Sequence, residues 1–213
     1  MAITTYAELQ AAAANWLVRA DLTARIPEFI ALAETRLNRA LRTRLAETEQ
    51  PLTGVVGART IPLPAGFAEP LALWILRSDG SRCALRFAEP GLLAATSLRG
   101  QPSLWGVDGG ALAFDRPCDQ AYGFVLRMLA KFQLSDAAPT NALLADWPDV
   151  YLFATLCEAA PFLRDAELAQ AYAGKLEAAL AEINSKEARS RAPRTLATDL
   201  PRPRAPFDIL RGS

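Results

Sequence analysis

Between Phe29 and Leu45 an apolar residue returns at every fourth position: Phe29, Ala33, Leu37, Leu41 and Leu45. That spacing predicts one long helix with an apolar stripe, and it leaves Arg36, Arg39, Arg42 and Arg44 elsewhere on the circumference. Such a helix is stable only where its striped face is covered by other elements. Pro27 suits its first turn, where a missing amide hydrogen costs nothing. Upstream, Thr5-Tyr6-Ala7-Glu8 has the Thr-x-x-Glu form of a capping box. It predicts a first helix from Tyr6 to about Val18, interrupted at Asp21-Leu22-Thr23.

The period changes after residue 50. From Pro51 to Pro139 the apolar runs are short and broken by glycine and proline, with turn dipeptides at Asp79-Gly80 and Asp108-Gly109. Leu71–Arg77 and Cys83–Phe87 flank the first turn, and Leu104–Val107 and Ala111–Phe114 flank the second, so two β-hairpins are expected. Tyr122, Phe124, Leu126, Met128, Ala130 and Phe132 alternate with smaller or charged residues, the period of a strand. Helical patterning returns after Asn141. Asp146 is the expected cap, with Pro148 in the first turn, of a helix through Phe162 that is apolar nearly all round and belongs at the centre of a core. A last helix, capped by Asp165, carries Leu168, Tyr172, Leu176, Ala179 and Ile183 on one side. The predicted fold is α+β: a helical bundle formed by both ends of the chain (residues 1–50 and 139–186), a β-rich insertion (51–138) and an extended C-terminal arm (187–213).

Charge sets that arm apart. The whole chain is balanced, with 23 basic and 23 acidic residues, so no global charge draws it onto nucleic acid or an anionic membrane. From Lys186 onward, however, seven basic residues face three acidic ones, a net +4 that leaves the preceding body near −4. Pro193, Pro201, Pro203 and Pro206 exclude a continuing helix there. An Arg/Pro-rich segment of this kind cannot order itself alone. It is either a plain overhang or an arm that gains order by lying on another subunit. The arm reading selects Arg189, Arg191, Arg194, Arg202 and Arg204 for bidentate polar contacts and Phe207, Ile209 and Leu210 as apolar anchors. Three widely spaced cysteines, Cys83, Cys118 and Cys157, suggest neither a disulfide framework nor a CxxC site. Residues 1–8 show no leader signature, and the longest strongly apolar run, Leu71–Leu76, is too short for a bilayer span.

The chain contains no histidine. That removes the commonest general base and transition-metal ligand, and with it Ser-His-Asp and Cys-His catalysis. Carboxylate pairs such as Asp146 with Asp149, or Glu158 with Asp165, are candidates for glycosidase-type chemistry; helix capping and first-turn charge account for them more simply. No glycine pattern matches a nucleotide-phosphate loop. Trp74, Trp105, Tyr122 and Phe124 lack the interleaved cations of a base-stacking platform and fit packing between strands better. The arginines of the second helix fit a phosphate contact, a solvated face or a subunit interface equally. Neither a cofactor nor a metal is expected, and the chain reads as a non-enzyme.

Two blocks carry a family resemblance. Thr5-Tyr6-Ala7-Glu8-Leu9, Trp16-Leu17, Ile26-Pro27-Glu28-Phe29-Ile30-Ala31-Leu32-Ala33-Glu34 and Leu37-Asn38-Arg39 form the first. Pro139-Thr140-Asn141, Pro148-Asp149-Val150-Tyr151-Leu152 and Glu158-Ala159-Ala160-Pro161-Phe162-Leu163 form the second. Together they resemble the head-to-tail adaptor (connector) proteins of tailed bacteriophages, also described as tail-tube-A-like. The resemblance implies a structural ring of identical subunits, usually twelvefold, seated beneath the portal protein after genome packaging. Such a ring extends the DNA channel and receives the next tail component, whether nozzle, stopper or tail tube. Genomic DNA would pass through the lumen without sequence-specific binding. The implied location is the head-to-tail junction of the virion, after synthesis in the host bacterial cytoplasm, with no membrane involved. Two other readings rest on other features: a DNA-packaging or assembly factor that binds nucleic acid through the basic tail, and a carboxylate-dependent virion hydrolase.

Overall fold

The computed structural model describes residues 3–41, 43–93, 96–163 and 165–191. Helix α1 (Tyr6–Leu17) opens on the expected capping box: Thr5 Oγ1 accepts from the Glu8 amide at 3.3 Å, and the Glu8 carboxylate accepts from the Thr5 amide at 3.1 Å. A 3₁₀ turn, Ala20–Arg25, leads into α2 (Ile26–Ala40). The expected helix through Leu45 is corrected here. Leu41 is already extended (φ −112°, ψ 123°), although it stays buried, and Arg44–Ala46 forms a 3₁₀ turn that delivers the chain into a strand. The fourfold spacing persists past Ala40 because Leu41 still has to reach the core, not because the helix continues.

The later helices follow the same logic. Asn141 Oδ1 accepts from the Leu144 amide at 2.9 Å and caps α3 (Ala142–Asp146). Asp146 therefore ends α3 and does not cap α4 (Pro148–Leu163), which begins on Pro148 itself. Asp165 Oδ1 accepts from the Leu168 amide at 3.0 Å and caps α5 (Ala166–Arg191), which runs five residues past Lys186, where the apolar periodicity stops. Helix α4 is packed by α1, α2, α3 and α5. Its burial extends around the helix, from Val150, Tyr151 and Leu152 to Leu156 and Ala159, as its all-round apolar sequence requires.

The middle of the chain forms two four-stranded sheets. The strands are β1 (Glu47–Thr53), β2 (Thr60–Pro62), β3 (Phe67–Leu76), β4 (Arg82–Ala84), β5 (Arg86–Phe87), β6 (Leu104–Asp108), β7 (Ala111–Phe114) and β8 (Gly123–Ala130). One sheet has the order β1-β8-β3-β4 and the other β2-β7-β6-β5, and every pairing is antiparallel except β5 with β6. The two enclose a common core that includes Ile61, Leu73, Trp105, Leu112, Phe124 and Met128. Across it the rings of Phe114 and Phe124 stack with centroids 5.0 Å apart.

Both expected hairpins are present, with differences. In the second, the turn is Gly109-Gly110, and both residues have positive φ (54° and 82°), the requirement of a two-residue type I′ connection. In the first, the expected strand Cys83–Phe87 divides at Leu85: β4 pairs with β3, and β5 crosses to pair with β6 in the other sheet. The Trp105 indole donates to the Leu85 carbonyl at 3.3 Å and holds that corner. Gly106 faces it closely. A β-carbon on Gly106 would lie 2.5 Å from the Ala88 carbonyl oxygen.

Strand β8 joins the sandwich to the bundle. Phe124, Leu126 and Met128 point into the sandwich core, while Leu129, followed by Phe132 and Leu134, enters the helical core. The chain leaving β8 is held by α2. Asn38 Oδ1 accepts from the Phe132 amide at 2.7 Å and its Nδ2 donates to the Phe132 carbonyl at 2.9 Å, while Glu34 Oε1 accepts from the Leu134 amide at 2.6 Å. Glu34 and Asn38 are four residues apart and so share one helix face. Glu34 is only 8% exposed, and burial raises its carboxyl to about pH 7 against the opposing effect of the Leu134 amide.

Two outcomes follow from this geometry. Gly106→Ala forces backbone apart at the sheet-switching corner, and urea unfolding is expected to show a loss of about 1–3 kcal/mol. For Glu34, the folded chain keeps a proton between its ordinary value of 4.5 and about 7 that the unfolded chain releases. Stability therefore falls as pH rises through that window, by on the order of 3 kcal/mol. Glu34→Gln retains an acceptor for Leu134 and should flatten the difference between urea midpoints at pH 5 and pH 8.

Candidate assembly surfaces

Of the residues selected for the arm, two lie within the described chain. Arg189 is exposed on α5, where its guanidinium donates to the carbonyl and hydroxyl of Ser185 at 3.3 Å. Arg191 is the last residue of α5. Arg194, Arg202, Arg204, Phe207, Ile209 and Leu210 lie outside the described residues.

The arginines expected along one helix are not a uniform row, since Arg36 and Arg39 lie on α2 and Arg44 in the 3₁₀ turn after it. Arg36 Nε approaches Glu158 Oε1 at 2.9 Å, tying α2 to α4. Arg39 donates back to the Thr35 carbonyl at 3.2 Å, and the Arg44 amide donates to Glu187 Oε1 at 3.2 Å on α5. Arg42 lies outside the described residues. Of the carboxylates weighed for hydrolysis, Glu158 is paired with Arg36 and Asp165 caps α5, while Asp146 ends α3 and Asp149 stands in the first turn of α4. Among the described residues no group of three or more Cys, Asp or Glu is placed to hold a metal ion.

The aromatic residues of the insertion are distributed through the sandwich. Trp105 and Phe124 are buried, Tyr122 donates to Asp119 at 2.7 Å, and half-buried Trp74 lies beneath the Arg82 guanidinium. They form core and cross-strand packing, with no open platform among them. All three cysteines are free, and Cys118 is buried. Asp115 organises one end of the sandwich. Burial raises its carboxyl, but donation from the Ser103 and Leu104 amides, the Ser103 hydroxyl and Arg116 outweighs it and holds the group below the usual carboxylate range.

Among the described residues, apolar surface stands open at several places, including these two. At that end of the sandwich, Val55, Val56 and Leu98 are exposed, and the Arg99 side chain lies over Gly57 between them. On the bundle, α2 and α5 each pack on α4, and between them runs a groove of about 400 Å³. Cys157, Ala160 and Pro161 of α4 line it together with Ala166, Ala169 and Ala173 of α5. Arg36 and Asp165 complete its lining, and an adjoining hollow that shares Arg36 exposes Leu32. The groove is assembled from three elements distant in sequence. Its trace in the sequence is the i, i+3, i+7 spacing of the α5 alanines, which borders the buried stripe of Tyr172, Leu176 and Ile183.

A family model described as SU10 adaptor protein matches residues 4–199, which include both helical regions and the whole sandwich. No curated protein matches the chain.

Proposed function

The chain belongs to the SU10 adaptor protein family, structural proteins of the bacteriophage head-to-tail junction, and from that premise we propose how it works there. Copies of the chain close into a ring beneath the portal protein, extend the DNA channel and present a platform to the next tail component. The observation that carries this reading is the family match across the bundle and the sandwich together.

The surface chemistry supports it. A closed ring of identical subunits needs head-to-tail contacts, in which each copy offers two different complementary patches. The described surface offers two candidates for these patches: the exposed valine and leucine end of the sandwich, and the groove on the bundle. The body of the chain is net acidic, so a channel built from it would repel the phosphate backbone and let DNA slide. Arg194, Arg202 and Arg204, with Phe207, Ile209 and Leu210, form an arm that fastens the subunit to the portal or to its neighbour, with Arg189 and Arg191 at its root on α5.

The test is to mix purified protein with portal rings of the same phage, then weigh and image the particles. Because α5 extends to Arg191, a chain ending there keeps the helix whole while removing the arm. Full-length protein is expected to form ring-shaped complexes on the portal, and the shortened chain to bind at least tenfold more weakly. A full-length protein that stays monomeric beside the portal would overturn the reading. Salt-sensitive DNA binding lost on the same truncation would favour a packaging factor instead.

A further inference from the structure

We propose that in the free chain the groove between α2, α4 and α5 is the docking site for the chain's own segment Phe207–Leu210. This goes beyond the ring reading, because it concerns the subunit before assembly and holds whether or not a ring forms.

Three observations point to that occupant. The first is shape and polarity. The groove is lined by small apolar side chains, Cys157, Ala160 and Pro161 beside Ala166, Ala169 and Ala173, so it has room for large apolar groups and none of its own to fill it. Phe207, Ile209 and Leu210 are the only large apolar residues after residue 200 other than the flanking prolines.

The second is charge. Among the described residues the groove's lining carries Arg36 and Asp165, Arg36 is paired with Glu158 at 2.9 Å, and the charges acting on Cys157 are that one guanidinium and the two carboxylates of Glu158 and Glu177. Cys157 registers that field: burial pushes its thiol up, Arg36 draws it down, and Glu158 and Glu177 push it up further. The segment Arg202–Arg211 carries Arg202, Arg204 and Arg211 against Asp208 alone. An apolar anchor flanked by arginines thus meets an apolar groove flanked by carboxylates.

The third is reach. Helix α5 starts at the groove and rises about 1.5 Å per residue, which puts Arg191 about 33 Å from Ala169. The residues between Arg191 and Phe207 span about 50 Å when extended, enough to run back along α5. A tether of that length presents the segment at an effective concentration on the order of millimolar, above that of a second copy in dilute solution. Docking on a partner would then require the segment to leave its own groove, so assembly exchanges one site for another.

The groove supplies its own probe, because Cys157 lines it. In the full chain carrying Cys83→Ser and Ile209→Cys, mild oxidation is expected to join Cys157 to the introduced thiol within one molecule. The product would migrate as a compact monomer on a non-reducing gel, be identified by peptide mass, and disappear when Cys157→Ser is added. Separately, the alkylation rate of Cys157 in the chain without these substitutions should rise at least threefold when the chain is ended after Arg191. A cross-linked dimer would assign the groove to a second copy and overturn the proposal. So would the absence of any Cys157 cross-link together with an alkylation rate unchanged by truncation.

Discussion

Three hydrogen bonds from one face of α2 hold the two halves of this protein together. A bundle and a β-sandwich with separate cores would otherwise be joined by covalent connections and whatever surface they share, and the chain leaving β8 would expose unpaired backbone at the junction. Asn38 and Glu34 satisfy Phe132 and Leu134 much as a neighbouring strand would, so the end of β8 passes directly into the helical core. The cost is a buried carboxylate, whose ionisation opposes folding above its raised pKa. Such a joint fixes the position of the sandwich relative to the bundle.

The same residues explain what the family resemblance is made of. Thr5 and Glu8 form the capping box of α1, Pro27 occupies the first turn of α2, Glu34 and Asn38 clamp the exit of β8, and Asn141 caps α3 while donating to the Tyr151 hydroxyl at 2.7 Å. The Tyr6 amide donates to the Pro139 carbonyl at 2.7 Å, joining the two blocks directly. These are instructions for folding. The surfaces available for assembly, by contrast, are built from side chains such as Ala169, Leu98 and Val56, which have no chemistry of their own and acquire meaning only through placement.

That contrast marks what could be read from the chain. The helices were legible because stripes and caps are local: the capping box, Pro27, Asp165 and the all-round apolar α4 each act within a turn or two. So were both hairpins and β8. Strand β1 was not, since Glu47-Thr48-Glu49-Gln50 is polar and finds its strand character only opposite β8, where Glu47 pairs with Arg127. The division of the predicted strand at Leu85 was hidden for a similar reason, because what splits it is Trp105, twenty residues away. The end of α2 was misplaced because Leu41 keeps the helical spacing while leaving the helix. Glu34 stood in plain view as one more charged residue, and its burial depends on a contact a hundred residues distant.

The joint between α2 and the chain leaving β8 is most directly tested by hydrogen exchange at the Phe132 and Leu134 amides in the full-length protein. Protection comparable to that of Leu126 in the middle of β8, lost at Phe132 in Asn38→Ala and at Leu134 in Glu34→Ala, is the expected result. Exchange in the unsubstituted chain as fast as at the exposed Asp79 turn would contradict it, and would mean that bundle and sandwich are held together by something other than Asn38 and Glu34.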